Sequence, residues 1–111
     1  MSKTSNTFEK GQLETRFIMP TVHALERANL RGISLSMMRD TIRHGKKLHR
    51  QGYEFYVMLR KCISDEWNEK YVKRIVNTVV VVSSNGDIVT TYQNEKALKN
   101  IKKIIILSYF Q

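Results

Sequence analysis

Three side chains at one-turn helical intervals are the best candidates for chemistry in this sequence: His23, Arg27 and Arg31, at i, i+4 and i+8. An imidazole titrates near neutrality and can give or take a proton. A guanidinium is always charged and presents a fork of donors that suits an oxyanion. A proton carrier and a permanent cation on one helix face are suited to acid–base work on an anionic substrate. The other two histidines, His44 and His49, lie in a basic stretch with Lys46, Lys47 and Arg50. No carboxylates stand beside them at ligand spacing, so phosphate or water is the better partner than a metal. Cys62 is the single cysteine, which rules out an intramolecular disulfide and a site built of several thiolates.

The elements that must position these groups can be read in order. Residues 1–19 begin polar and without period, and form an arm that tightens into an extended piece near Phe17-Ile18-Met19. Pro20 disfavours helix before it and leaves Thr21 as a helix cap. Val22, Leu25 and Ala28 make the buried stripe of a first helix, and a corner follows at Arg31-Gly32-Ile33-Ser34. Ser34 caps a second helix with Leu35, Met38 and Ile42 inward, and Gly45 ends it in a left-handed conformation.

The period then falls to two. Lys46 to His49 is a short strand, Gln51-Gly52 a turn and Tyr53 to Arg60 a strand. In that strand Tyr53, Phe55, Val57 and Leu59 oppose Glu54, Tyr56, Met58 and Arg60. Residues 65–76 read as a helix capped at Ser64, although their β-branched end leaves a strand open. Val79 to Ser83 is a strand buried on both faces, and Ser84-Asn85-Gly86-Asp87 is a hairpin turn. Ile88 to Gln93 returns with Ile88, Thr90 and Tyr92 on one face. Asn94 caps a C-terminal helix whose last residues, 104–110, also suit a strand. The predicted fold is α+β: two N-terminal helices packed on a small antiparallel sheet, with an additional C-terminal helix, all within one domain over residues 20–111.

The chain has 111 residues and a net charge of +9, which favours a polyanionic partner such as RNA, DNA or an anionic surface. The excess is local. Residues 21–52 hold seven Lys/Arg against two acids, whereas residues 53–76 hold five against four. Arg31, Lys46, Lys47 and Arg50 are therefore the candidate nucleic-acid contacts. No apolar run approaches the roughly 18 residues needed to span a bilayer. No signal-peptide apolar region opens the chain either, so it reads as a cytoplasmic protein with no membrane partner.

The segments HALERANLRGIS, GYEFYVM and TVVVVSSNGDIVTTY resemble a family of small bacterial domains of unknown function. That family is grouped with barnase, EndoU, the tRNA-cleaving colicins and RelE in the BECR ribonuclease-like fold. The resemblance spans roughly residues 21–93. It implies His23 and Arg27 of the first helix, with Thr90 and Tyr92 of the last strand, as active-site positions. It further implies a metal-independent endoribonuclease of the toxin type, acting on tRNA, mRNA or ribosome-bound RNA without a cofactor. An acidic antitoxin or immunity protein would be its partner.

Chemistry fits the resemblance in part. Cleavage of RNA by transesterification needs a base for the 2′-hydroxyl, an acid for the leaving oxygen and donors for the phosphorane. His23 supplies one proton-transfer group and Arg27 the phosphate fork. The second proton-transfer role falls to His44, His49, Tyr92 or solvent. The alternative is a catalytically silent nucleic-acid-binding or protein-inhibitory module of the same fold.

Overall fold

The valine run forms the middle of a sheet. Thr78–Val82 is buried at every position, which requires cover on both faces. The computed structural model describes residues 18–109. Over that span the chain runs β1 (Met19–Pro20), α1 (Val22–Leu30), α2 (Leu35–His44), β2 (Lys46–Arg50) and β3 (Tyr53–Val57). A 3-10 turn at Arg60–Cys62 leads to α3 (Glu69–Ile75), β4 (Thr78–Val82), β5 (Asp87–Gln93) and α4 (Ala97–Tyr109). The strand order is β1-β5-β4-β3-β2. The fold is thus α+β, with four helices and a five-stranded sheet among the described residues.

The sheet is mixed, not antiparallel throughout. β2, β3, β4 and β5 pair antiparallel in succession, but β1 joins β5 in parallel, Met19 facing Asp87 and Pro20 facing Ile88. Met19 therefore belongs to the sheet and not to the arm expected over residues 1–19. The remainder of that arm, residues 1–17, lies outside the described residues.

Strand alternation divides the core in two. Tyr56, Met58, Val80, Val82 and Ile88 meet Ala24, Ala28, Ile33, Met37, Met38 and Ile75 on one side. Leu48, Phe55, Val57, Val79 and Val81 meet Ala97 and Ile101 of α4 on the other. Burying a Val side chain fully is worth about 1.5–3 kcal/mol, so β4, covered on both faces, anchors the domain.

Several local expectations change on contact with this core. In α1 the buried residues are Ala24 and Ala28, while Val22 and Leu25 are exposed. Two alanines let the helix approach the sheet closely, and the larger residues are rotated outward. In α2 the buried set is Met37, Met38 and Thr41; Leu35 is exposed and Ile42 half-buried. Thr21 caps α1, its Oγ1 accepting from the Ala24 N–H at 3.0 Å. Ser34 caps α2 by accepting from the Met37 N–H at 3.2 Å. Gly45 is not left-handed: its φ is −76° and ψ 171°.

The two-residue turn Gln51-Gly52 has positive φ at both positions (54° and 82°), the geometry that matches strand twist. Ser64 caps a turn, not the helix, which begins later after Asn68, whose Oδ1 accepts from the Lys70 N–H at 2.8 Å. In β5 the pairing steps from Val81–Thr90 to Val82–Ile88, a bulge. The extra residue sends Ile88 to the α1 side and leaves Thr90 and Tyr92 in register with Val81 and Val79, on the α4 side. The expected common face of Ile88, Thr90 and Tyr92 is therefore split.

Candidate functional site

α1 runs beside the outer edge of β5. Thr21 is fixed there by its N–H and Oγ1, both donating to the Ile88 carbonyl at 3.1 and 3.2 Å. At the other end the Arg31 guanidinium donates to the Thr91 carbonyl at 2.8 Å. β1 pairs with β5 only as far as Ile88. Beyond it Arg31 supplies the donor for a carbonyl that no described strand reaches, which gives this candidate RNA contact a structural partner. Since Arg31, Arg27 and His23 share a helix stripe, the stripe flanks this edge. His23 is exposed, Arg27 is half-buried, and neither side chain has a hydrogen-bond partner among the described residues.

Thr90 and Tyr92 are residues of β5 itself and face the α4 side of the sheet, both half-buried. Among the described residues no hydrogen bond joins either of them to His23 or Arg27. The four candidates therefore lie on or beside one strand, two on each side of the sheet, with no hydrogen bond between the pairs. Burial pushes the Tyr92 phenol above its ordinary value. It stays protonated at neutral pH and can donate a hydrogen bond, but it is a poor proton carrier there.

The candidate nucleic-acid residues of β2 lie elsewhere. β2 is the opposite edge of the sheet, three strand spacings from β5, or about 14 Å. No single phosphate can meet both His23 and Lys47, and His49 is likewise too remote to be the second proton carrier for a His23 site. Alternation further divides β2. Lys46 and Arg50 share the α4 side with Leu48, whereas Lys47 and His49 share the other side with Tyr56 and Glu54.

On that second side the structure assembles a cluster that reading from spacing alone passed over. Glu54 Oε2 lies 3.6 Å from Lys47 Nζ and 3.7 Å from His49 Nε2. Glu54 Oε1 accepts from the Tyr56 hydroxyl at 2.9 Å, and Lys47 Nζ sits 5.8 Å from the Tyr56 ring centre. The Glu54 side chain is 12 % exposed and that of His49 65 %, so the carboxylate lies beneath the Lys47 ammonium and the His49 imidazole, both open to solvent. The signal was present in the turn: a two-residue loop at Gln51-Gly52 forces 49 opposite 54 and 47 opposite 56.

This pairing has a measurable consequence. Glu54→Gln keeps an acceptor for Tyr56 but removes the charge that holds Lys47 and His49. If this surface binds RNA, affinity should rise several-fold at low salt, where unscreened phosphate attraction is strongest. Charge reversal at Lys46, Lys47 and Arg50 should lower affinity across RNA sequences and flatten the salt dependence, by a slope of about 0.7 per lost phosphate contact. Fluorescence anisotropy over a salt series checks both. An equal loss on reversing the exposed Lys102 and Lys103 would place the RNA contact on α4.

The third histidine is part of a helix junction. His44 meets Trp67 edge-on with ring centres 5.4 Å apart, and Trp67 meets Tyr71 at 5.7 Å. The Tyr71 hydroxyl donates to Asp40 Oδ2 at 2.6 Å, tying α3 to α2. Burial, then the hydrogen bond and charge of Asp40, push the Tyr71 pKa up to about 12. A folded-state value above the unfolded one means stability that is complete below pH 10 and is lost as pH rises through 12. Tyr71→Phe should cost about 1 kcal/mol at neutral pH and remove this part of the alkaline loss, as seen in denaturant midpoints between pH 8 and about 12.

Among the described residues no three of His, Cys, Asp and Glu converge as metal ligands, and no helix is long and apolar enough to cross a membrane. Comparison of the chain with protein-family profiles, with functionally characterised proteins and with solved structures finds no match to any of them.

Proposed function

We propose that this domain is a small endoribonuclease of the toxin type that cleaves RNA by transesterification without a metal ion. His23 is the proton-transfer group and Arg27 holds the phosphate, with Thr90 and Tyr92 donating from the far side of β5. The supporting observation is the α1 stripe. Arg31 pins it to the open edge of β5, so His23 and Arg27 lie beside that edge while Thr90 and Tyr92 project from β5 on the other side of the sheet. A phosphate at this edge would be approached by a proton carrier and a cation from above and by two hydroxyls from below. The arrangement proposed is BECR-like, with the two N-terminal helices and the C-terminal helix on opposite sides of the sheet. RNA is the substrate, and an acidic antitoxin or immunity protein is the partner in the producing cell.

The separation of the four residues favours a second reading. No hydrogen bond joins Thr90 or Tyr92 to His23 or Arg27 among the described residues, which suits a catalytically silent member of this fold that binds nucleic acid or blocks a protein. One experiment distinguishes the two: purified protein incubated with total RNA in chelator. The ribonuclease reading expects cleavage with cyclic phosphate and 5′-hydroxyl ends. Tight RNA binding with no cleavage, with or without added divalent ions, would establish the silent reading.

A further inference from the structure

The two edges of the sheet differ. On one, β1 is two residues long, and past it α1 flanks β5, where Arg31 donates to the Thr91 carbonyl. The other edge is β2, five residues long, and among the described residues no strand lies outside it. Its register decides which backbone groups are left over. The two-residue loop at Gln51-Gly52 makes Arg50 and Tyr53 a hydrogen-bonded pair, and such pairs alternate along the ladder. Lys46, Leu48 and Arg50 therefore spend their N–H and C=O groups on β3, while those of Lys47 and His49 point outward. The Arg50 guanidinium marks that direction by donating to the His49 carbonyl at 2.6 Å on the exposed side. Donors and acceptors repeating in this way are what an added strand pairs with.

Charge selects the strand. Lys46, Lys47 and Arg50 are cations, His49 becomes one on protonation, and β2 holds no acid. Lys46, Lys47 and His49 are exposed and Arg50 is half-buried. Glu54 already faces Lys47 and His49, but Lys46 and Arg50 are in no ion pair among the described residues. These charges belong to the edge itself, about 5 Å from the side chains of any strand set beside it. A second copy pairing through its own β2 would put the same cations opposite one another, which is unfavourable. The first 17 residues of the chain carry three Lys/Arg against two acids, so they offer no complementary charge. RNA would meet the cations but not the alternating donors and acceptors of the backbone. An acidic extended segment meets both.

We propose that the β2 edge is the docking site for an acidic, extended segment of a partner protein, which joins the sheet as a sixth strand. Its backbone pairs with Lys47 and His49, its carboxylates flank Lys46, Lys47 and Arg50, and an apolar residue lies opposite Leu48. This is the edge remote from His23 and Arg27, so the proposal does not depend on RNA cleavage.

The test uses the full chain and a labelled peptide of about ten residues, rich in glutamate with valine at its centre. Two further peptides carry N-methyl groups on every second backbone nitrogen, in one frame or the other. Charge is the same in all three, but only one frame blocks the donors that face β2. Anisotropy should show binding of the parent peptide that weakens with salt, and loss of binding in one methylated frame only. Hydrogen exchange at the Lys47 and His49 amides should slow at least about tenfold at saturation. Lys46→Glu should weaken binding several-fold and, at an exposed position, melt like the parent. Failure of the parent peptide to bind overturns the proposal, as does equal binding in both methylated frames. So does unchanged exchange at Lys47 and His49. An RNA oligomer that slows those two amides when the peptide does not would assign the edge to RNA, and dimerisation that slows them would assign it to a second copy.

Discussion

Replacing His23 by Ala should, if the chain is the ribonuclease proposed above, slow RNA cleavage by about 10²–10⁴-fold while leaving RNA binding and the fold intact. In barrier terms this is about 3–5 kcal/mol, more than any surface hydrogen bond contributes to stability. The fold should survive because His23 is exposed on α1, and alanine is the better helix former there. Arg27→Lys should also be slow, since an ammonium does not reproduce the fork of a guanidinium. Cleavage rates in chelator, RNA affinity by anisotropy and melting by circular dichroism separate the outcomes. Loss of cleavage with binding retained marks a proton-transfer role. Unfolding of His23→Ala would make the histidine structural, and unchanged cleavage would move the chemistry to another group.

Gly45→Ala should be more destabilising than Gly32→Ala or Gly52→Ala, at about 2–4 kcal/mol. The cause is contact, not backbone conformation. A Cβ at Gly45 would sit 2.5 Å from the Thr41 carbonyl oxygen and 2.8 Å from that of Val57. Both are backbone atoms of packed elements, the end of α2 and β3, and neither can yield cheaply. Gly32 differs in kind: its φ is +69° and a Cβ there meets nothing within 4 Å. Gly32→Ala should therefore cost about 1 kcal/mol, the penalty for a side chain in the left-handed region. Urea midpoints of the two variants, compared at constant m-value, check the order. Equal costs at the two glycines would remove the steric account.

Much of the local structure was legible because it depends on near neighbours. Thr21 and Ser34 cap the helices expected of them, since a cap needs only a short polar side chain two or three residues before an N–H. The turn at Gln51-Gly52 and the buried run Thr78–Val82 follow from residue type in the same way. The candidate site was less legible. Spacing put His23, Arg27 and Arg31 on one stripe, but nothing in it showed that Arg31 would be taken by the Thr91 carbonyl. Nor could it show that β2, with Lys46, Lys47 and Arg50, would occupy the far edge of the sheet.

The sequence by itself determined the caps at Thr21 and Ser34, the hairpin turns, the basic excess and the helix stripe that carries His23 and Arg27. These are properties of residues within a few positions of one another. Tertiary structure decided three other things. It buried Ala24 beside the expected Ala28 and left Val22 and Leu25 exposed, because the smaller pair lets α1 approach β5. It placed a bulge between Val81 and Val82 that turned Thr90 and Tyr92 away from Ile88, because strand register is set across the sheet and one extra residue reverses every side chain after it. It also set β1 beside β5, Met19 against Asp87, a parallel contact between distant residues that no local pattern encodes.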